Sequence, residues 1–192
     1  LVRQIAAEGP NTVQGVGLSL AGAGFAPDTH VVSARRLNRV LSFTPEVPSI
    51  NVEAGATLGE LFAYLSPHGL SVPVQPGHPD ITVGGCVAGD VHGKNPVRDG
   101  NFTDHVISLR LFHPDHGVRE VSAATGAGLF ALTCGGLGLT GAIVSVELRL
   151  TPLAGGLVEL EHLRVESLAA GARLIRERSA DTEFLYSWHD LA

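Results

Sequence analysis

The residues of this chain whose types and spacing suit chemistry are polar groups set among glycines. Five glycines fall between residues 77 and 93 (Gly77, Gly84, Gly85, Gly89 and Gly93), with Thr82, Asp90 and His92 between them and Lys94 and Asn95 just after. An earlier cluster, Gly15, Gly17, Gly22 and Gly24, surrounds Ser19. A simple turn needs one or two glycines, whereas a run of them lets backbone approach something large and polar. Successive N–H groups in such loops form concave anion sites, to which Ser19 and Thr82 would add hydroxyl donors. The alternative is that both clusters are only tight turns. Neither is a Rossmann fingerprint, because Gly15-Val16-Gly17 lacks a third glycine three residues on. Nor is Gly93-Lys94 a P-loop, since Asn95 follows it and no glycine stands five residues before Gly93.

His92 and Lys94 are the candidate pocket residues, each weighed against a packed histidine and a solvated charge. His105 and His113 read as ordinary strand and turn residues, and His78 and Asp80 as shapers of a turn. Asp90 suits hydrogen bonding to local backbone better than a role as a base. The histidines and cysteines have no metal-ligand spacing, so no metal is expected.

Elements at both sides must position these groups. Val2, Ile5 and Ala6 lie at helical spacing over Leu1 to Ala7, and Gly9-Pro10 stops that helix. Thr12 to Gln14, Val31 to Ser33 and Ser49 to Glu53 read as strands. Thr57 with Glu60 forms a capping box that opens a helix over Leu58 to Leu65, ended by Gly69. Val72 to Val74 is extended. Val106 to Phe112, the turn Pro114 to Gly117 and Val118 to Val121 make an antiparallel hairpin. Leu129 to Cys134 is a short helix closed by Gly135-Gly136, and Ile143 to Leu150 alternates as a strand up to Thr151-Pro152. The tail reads as strand (157–165), helix (168–177) and strand (183–188).

Composition narrows the function classes. At 44% hydrophobic and 17% charged the chain is globular rather than disordered. Its net charge of −6 speaks against nucleic-acid binding. No apolar run approaches the roughly 18 residues of a membrane span, and no signal peptide is evident. Cys86 and Cys134 read as reduced thiols, consistent with a cytoplasmic protein. The lack of methionine and the abrupt ends suggest a piece of a longer protein.

Three segments in order resemble the FAD-binding domain of the vanillyl-alcohol oxidase/p-cresol methylhydroxylase (PCMH-type) superfamily, and within it the decaprenylphosphoryl-ribose oxidase-like FAD-linked oxidases. They are Ile81-Thr82-Val83-Gly84-Gly85, Asp90-Val91-His92-Gly93-Lys94-Asn95, and Gly135-Gly136-Leu137-Gly138-Leu139-Thr140-Gly141. The likeness runs from about Gly15 to Pro152. It implies an α+β fold of two α/β subdomains, 1–75 and 76–152, with FAD in the cleft between them and a substrate (cap) domain beginning at 153–192. It also implies that Gly15, Val16, Gly17, Leu18, Ser19, Leu20 and Ala21 wrap the pyrophosphate. Pro76, Gly77, Thr82, Val83, Gly84 and Gly85 would contact pyrophosphate and ribose. His92, Gly93, Lys94 and Asn95 would run along the flavin, and Ile143 would offer backbone to the adenine side. Leu20, Ala21 and Gly22 stand where relatives carry Tyr, Gly and Asp. Pro96 stands where a second His is common, and Leu18 where covalent members often have the flavin-linked His. Dissociable, non-covalent FAD is therefore expected.

The implied activity is oxidation of an alcohol CH–OH group, in a sugar, polyol or lipid-linked sugar, by hydride transfer to flavin N5. The catalytic base is expected outside this chain, and neither substrate nor electron acceptor is identified. Two other readings stand beside it: a 2-hydroxy-acid (D-lactate-type) flavin dehydrogenase on the same fold, and a non-catalytic nucleotide-binding module.

Overall fold

A computed structural model describes residue 5 and residues 10–153 and 155–189. The central feature is a five-stranded sheet in the order β3-β4-β8-β6-β7, with every neighbouring pair antiparallel. Its strands are β3 (Val40–Phe43), β4 (Ser49–Glu53), β6 (Val106–His113), β7 (Gly117–Ser122) and β8 (Ala142–Arg149). Beside it, β1 (Asn11–Gln14) and β2 (His30–Ser33) form a parallel pair. The short strands β5 (Leu70–Ser71) and β9 (Thr151–Pro152) pair antiparallel.

The central strands are β-branched and leucine-rich because both their faces are covered. In β8, Ile143, Val146 and Leu148 are buried, and opposite Val146 in β6 stands the buried Leu109. One face packs on α1 (Leu58–Leu65) and α2 (Val83–Gly89), through Leu61, Leu65, Val83 and Val87. Phe112 and Ala142 instead join Ile5 and Val32, which fastens the parallel pair to the sheet.

The capping box expected at α1 forms: Glu60 N donates to Thr57 Oγ1 at 3.2 Å, and Thr57 N donates to Glu60 Oε2 at 2.8 Å. The 106–121 hairpin, the helix after it, here α4 (Ala127–Thr133), and the strand up to Leu150 stand where the sequence puts them. Two short elements complete this part, α3 (Pro96–Asp99) and a 3-10 turn at Phe102–His105.

Several expectations are corrected. The second glycine cluster is partly helical rather than a loop throughout. Val83, Cys86 and Val87 recur at helical spacing and are fully buried, and this packing outweighs the poor helix propensity of Gly84 and Gly85. Strand β3, unrecognised in the sequence, pairs with β4, and β4 in turn with β8. Residues on both sides of position 75 therefore contribute strands to one sheet. The tail strands expected at 157–165 and 183–188 are not strands. Leu157, Val158 and Leu160 are exposed, and among the described residues no strand offers them a ladder. The tail helix does form, as α5 (Leu168–Arg178), with Ser167 Oγ accepting from Ala170 N. The helix expected over residues 1–7 lies, Ile5 apart, outside the described residues. Among the described residues no helix is long and apolar enough to cross a membrane.

Where β3 meets β4, Glu53 is buried and accepts three bonds from Arg39: Nη2 at 2.7 Å, Nε at 3.1 Å and the backbone N–H at 2.9 Å. The bond to the guanidinium holds the carboxyl below its ordinary range, although burial opposes this. A carboxylate whose pKa is lowered by folding stabilises the fold above its unfolded pKa, and that contribution disappears as pH falls through the folded value. Thermal unfolding followed between pH 7 and pH 3 should show Tm falling below the ordinary carboxylate range. Glu53→Gln should lower Tm by a few degrees at pH 7 and flatten that acid limb.

Candidate functional site

A cleft of about 450 Å³ opens between the loop after β1 and the segment that starts α2. Its floor is formed by Ala34 and Ala54, and its far wall by Gly138, Gly141 and the first residues of β8, Ala142 and Ile143. None of the described residues lining it is charged, and Gln14, Ser19 and Thr82 supply its polar side chains.

The first loop owes its shape to its glycines and to two side chains. A β-carbon on Gly15 would collide with Thr82 Oγ1, so only glycine lets the chain leave β1 this close to α2. Gly17 has φ +78°, in the left-handed region. Gln14 closes the base of the loop by donating from Nε2 to Gly24 O at 3.3 Å. Ser19 Oγ accepts from Ala23 N at 3.3 Å and sets the turn at the tip. Across the cleft, Thr82 Oγ1 accepts from Gly85 N at 3.3 Å. Each hydroxyl thus accepts from its own loop and keeps its proton to donate. Among the described residues no acceptor takes the N–H groups of Gly17 to Ala21.

The first loop therefore offers open N–H donors, while across the cleft the N–H groups of Val83, Gly84 and Gly85 are already taken by Ala56 O, Ala54 O and Thr82 Oγ1, and their glycines allow close approach. A dinucleotide's pyrophosphate needs such a cradle: many donors, close approach and no carboxylate to repel it. The apolar remainder of the cleft suits flat ring systems.

Of the residues expected to bind, Gly15 to Ala21, Thr82, Gly84, Gly85 and Ile143 meet in this cleft. Val83 does not, because it is fully buried in the core under α2. Pro76, Gly77, His92, Gly93, Lys94 and Asn95 are also absent from its lining. Some of these form a second patch: a β-carbon on Gly77 would lie 3.5 Å from Lys94 Nζ, and one on Gly93 would lie 3.1 Å from Gln75 N. His92 is exposed, with Nδ1 3.0 Å from Gly93 O. Asn95 is buried, and its side chain is hydrogen-bonded to the tail. Asp90 accepts from Asn101 Nδ2 and from Thr103 N and Oγ1.

Sequence reasoning missed Gln14, Ala34, Ala54 and Ala88. For Ala34 and Ala54 the available signal was weak, small residues just past strand ends, and Gln14 and Ala88 carried none. Gly138 and Gly141 lay in a quoted motif but were given no role.

The profile of a family described as "FAD binding domain" matches residues 1–122. The chain belongs to this family. FAD is its cofactor, and its relatives include oxidoreductases. Decaprenylphosphoryl-beta-D-ribose oxidase of Mycolicibacterium smegmatis is 40% identical over 123 residues, covering 64% of this chain and 27% of that protein. A mitochondrial D-lactate dehydrogenase [cytochrome] of Arabidopsis thaliana is 33% identical over 147 residues, covering 73% of this chain and 26% of the relative. Probable L-gulonolactone oxidase 4, from the same plant, is 29% identical over 133 residues, covering 66% and 23%. The chain thus spans about a quarter of the length of these relatives.

Of the two free thiols, Cys86 is buried next to the cleft-lining Gly85, and Cys134 is half-buried. Burial pushes Cys86 up to about 12, and burial with the nearby Asp90 carboxylate pushes Cys134 up to about 11. A thiol reacts as its thiolate. Maleimide at pH 8 should leave Cys86 unlabelled until the chain unfolds and should label Cys134 only slowly. Rapid native labelling of Cys86 would show that α2 is not packed as described. Gly15→Ala should lower FAD affinity at least tenfold, measured by flavin fluorescence titration. Gly128→Ala is the control, because its β-carbon would meet nothing within 4 Å in α4. It should leave affinity unchanged and stabilise the fold by about 0.5–1 kcal/mol.

Proposed function

We propose that this chain is the FAD-binding part of an oxidoreductase that oxidises an alcohol CH–OH group of a sugar, polyol or lipid-linked sugar. The observation that carries the reading is the uncharged cleft where Gly15 to Ala21 meets Thr82, Gly84 and Gly85. The pyrophosphate would be held by the N–H groups of the first loop and the hydroxyls of Ser19 and Thr82, with Gly84 and Gly85 permitting close approach, and Ile143 would flank the adenine side. FAD, when bound, supplies the two-electron acceptor for hydride leaving the alcohol carbon. The chain's own part is to bind the cofactor, exclude water with the apolar walls, and fix the orientation from which a substrate is met. The patch of Gly77, His92 and Lys94 would extend the site toward substrate, with His92 and Lys94 as donors to its oxygens.

Non-covalent binding of the cofactor is supported by Leu18, which stands in the cleft-lining loop where covalent members often carry the flavin-linked His. The two free cysteines accord with a cytoplasmic setting. A second reading, oxidation of a 2-hydroxy acid, is favoured by the plant relative named for D-lactate, which matches the larger share of this chain.

The full-length protein should show flavin absorption that moves to the supernatant on acid precipitation. Anaerobic bleaching by polyols and sugars, and not by D-lactate, is the expected outcome. Bleaching by D-lactate alone would replace the substrate class. Bound flavin that no alcohol bleaches would favour a nucleotide-binding module, and flavin that stays with the pellet would overturn non-covalent binding.

A further inference from the structure

Asn95 stands in the run expected to follow the flavin, yet its side chain is fully engaged elsewhere. It is 3% exposed. Its Oδ1 caps α3 by accepting from Arg98 N at 3.3 Å. Its two amide protons go to Ser179 O at 2.8 Å and Thr182 O at 2.6 Å, carbonyls more than eighty residues away. An asparagine amide has two donor hydrogens and one acceptor oxygen, so no donor is left for a ligand.

The contacts around it run the same way. Arg98 Nη1 also reaches Thr182 O, at 3.4 Å. Leu185 N donates to Lys94 O at 3.2 Å, and Lys94 Nζ lies 4.9 Å from the centre of the Tyr186 ring. Lys94 Nζ is also the nearest heavy atom to the space a Gly77 side chain would take. The tail after α5 is therefore held by backbone bonds at 94, 179, 182 and 185, around one buried amide. Its Tyr186 rests on the ammonium of Lys94, an arrangement attractive in itself and one that restricts the lysine to one direction.

We propose that Asn95 is a positioning residue. It docks residues 179–186 on the FAD-binding domain and thereby holds Tyr186 against Lys94, so that the patch beside Gly77 is built from the middle and the tail of the chain. The buried amide is well suited to this, because leaving two carbonyls and an amide unpaired in the interior is costly. Lys94 then keeps its free N–H donors on the side away from the ring, aimed by a residue ninety-two positions later. The contact depends on neither substrate reading.

The test uses the full chain loaded with FAD. Asn95→Asp keeps the oxygen that caps α3, and aspartate is a good cap, but it turns the two donors into an acceptor facing carbonyls. In this variant hydrogen exchange at the Leu185 amide should quicken at least tenfold. The upfield ring-current shift of the Lys94 side-chain methylenes should vanish, while FAD affinity stays within twofold. Tyr186→Leu should abolish the Lys94 shift and leave Leu185 protected, which separates docking from stacking. A cap-only role for Asn95 would leave both readouts unchanged in Asn95→Asp. A tenfold loss of FAD affinity with Leu185 still protected would make Asn95 a cofactor ligand. Either result overturns the proposal. The unmutated chain gives a check that needs no variant to fold: a Leu185 amide exchanging at its intrinsic rate, or Lys94 methylenes at free-lysine positions, overturns it as well.

Discussion

The structure depends on a backbone-to-backbone stitch between residues 54–59 and residues 79–84. Gly84 N donates to Ala54 O at 2.7 Å, Val83 N to Ala56 O at 2.8 Å, and Gly59 N to Pro79 O at 2.7 Å, while Leu58 N reaches Ile81 O at 3.0 Å. Two chains can run this close only where side chains are small. A β-carbon on Gly84 would lie 2.9 Å from the Ala54 β-carbon and 3.0 Å from its carbonyl oxygen. Ala54 N in turn donates to Val144 O at 2.9 Å, which ties the stitch to the central strand β8. Thr82, Gly84 and Gly85 are thereby fixed relative to the sheet before any ligand arrives, and a preformed cradle avoids an ordering cost on binding.

The same constraint explains why the cleft has so little chemistry of its own. A site built from closely approaching backbone has room for glycine, alanine and a few hydroxyls, and not for long charged side chains. It can hold an anion by many amide dipoles and still bury apolar rings. Reactive groups are then displaced to the margin. His92 and Lys94 stand outside the cleft lining, and Lys94 meets a tail that carries an aromatic ring. The uncharged cleft and the charged patch are thereby separated, the patch lying where the tail docks.

Much of the fold was legible in the sequence because its signals are local. The capping box of Thr57 and Glu60 needs only the next turn of chain, and the 106–121 hairpin shows its alternation and its turn together. Strand β3 was not legible, since Val40 to Phe43 is a short segment whose strand character comes from pairing with β4. The tail failed for the opposite reason. Leu157 to Val165 has the β-rich composition of a strand, but composition cannot supply a neighbour, and the exposed side chains have none among the described residues. Helix α2 was hidden by its glycines, whose low propensity is overridden by three fully buried neighbours.

The sequence by itself determined the cofactor class. Glycine spacing with hydroxyls and few acids is a pattern suited to an anion cradle, and three ordered segments carry the family likeness. Only the tertiary structure decided which of those residues share the cleft and which do not. Val83, flanked by Thr82 and Gly84, points into the core because a helix turns each side chain by about 100° from the last. Asn95, one residue after Lys94, gives its amide to carbonyls at 179 and 182. Adjacency along the chain places residues in the same neighbourhood, but side-chain direction and distant partners are set by packing, and packing is settled by the whole chain at once.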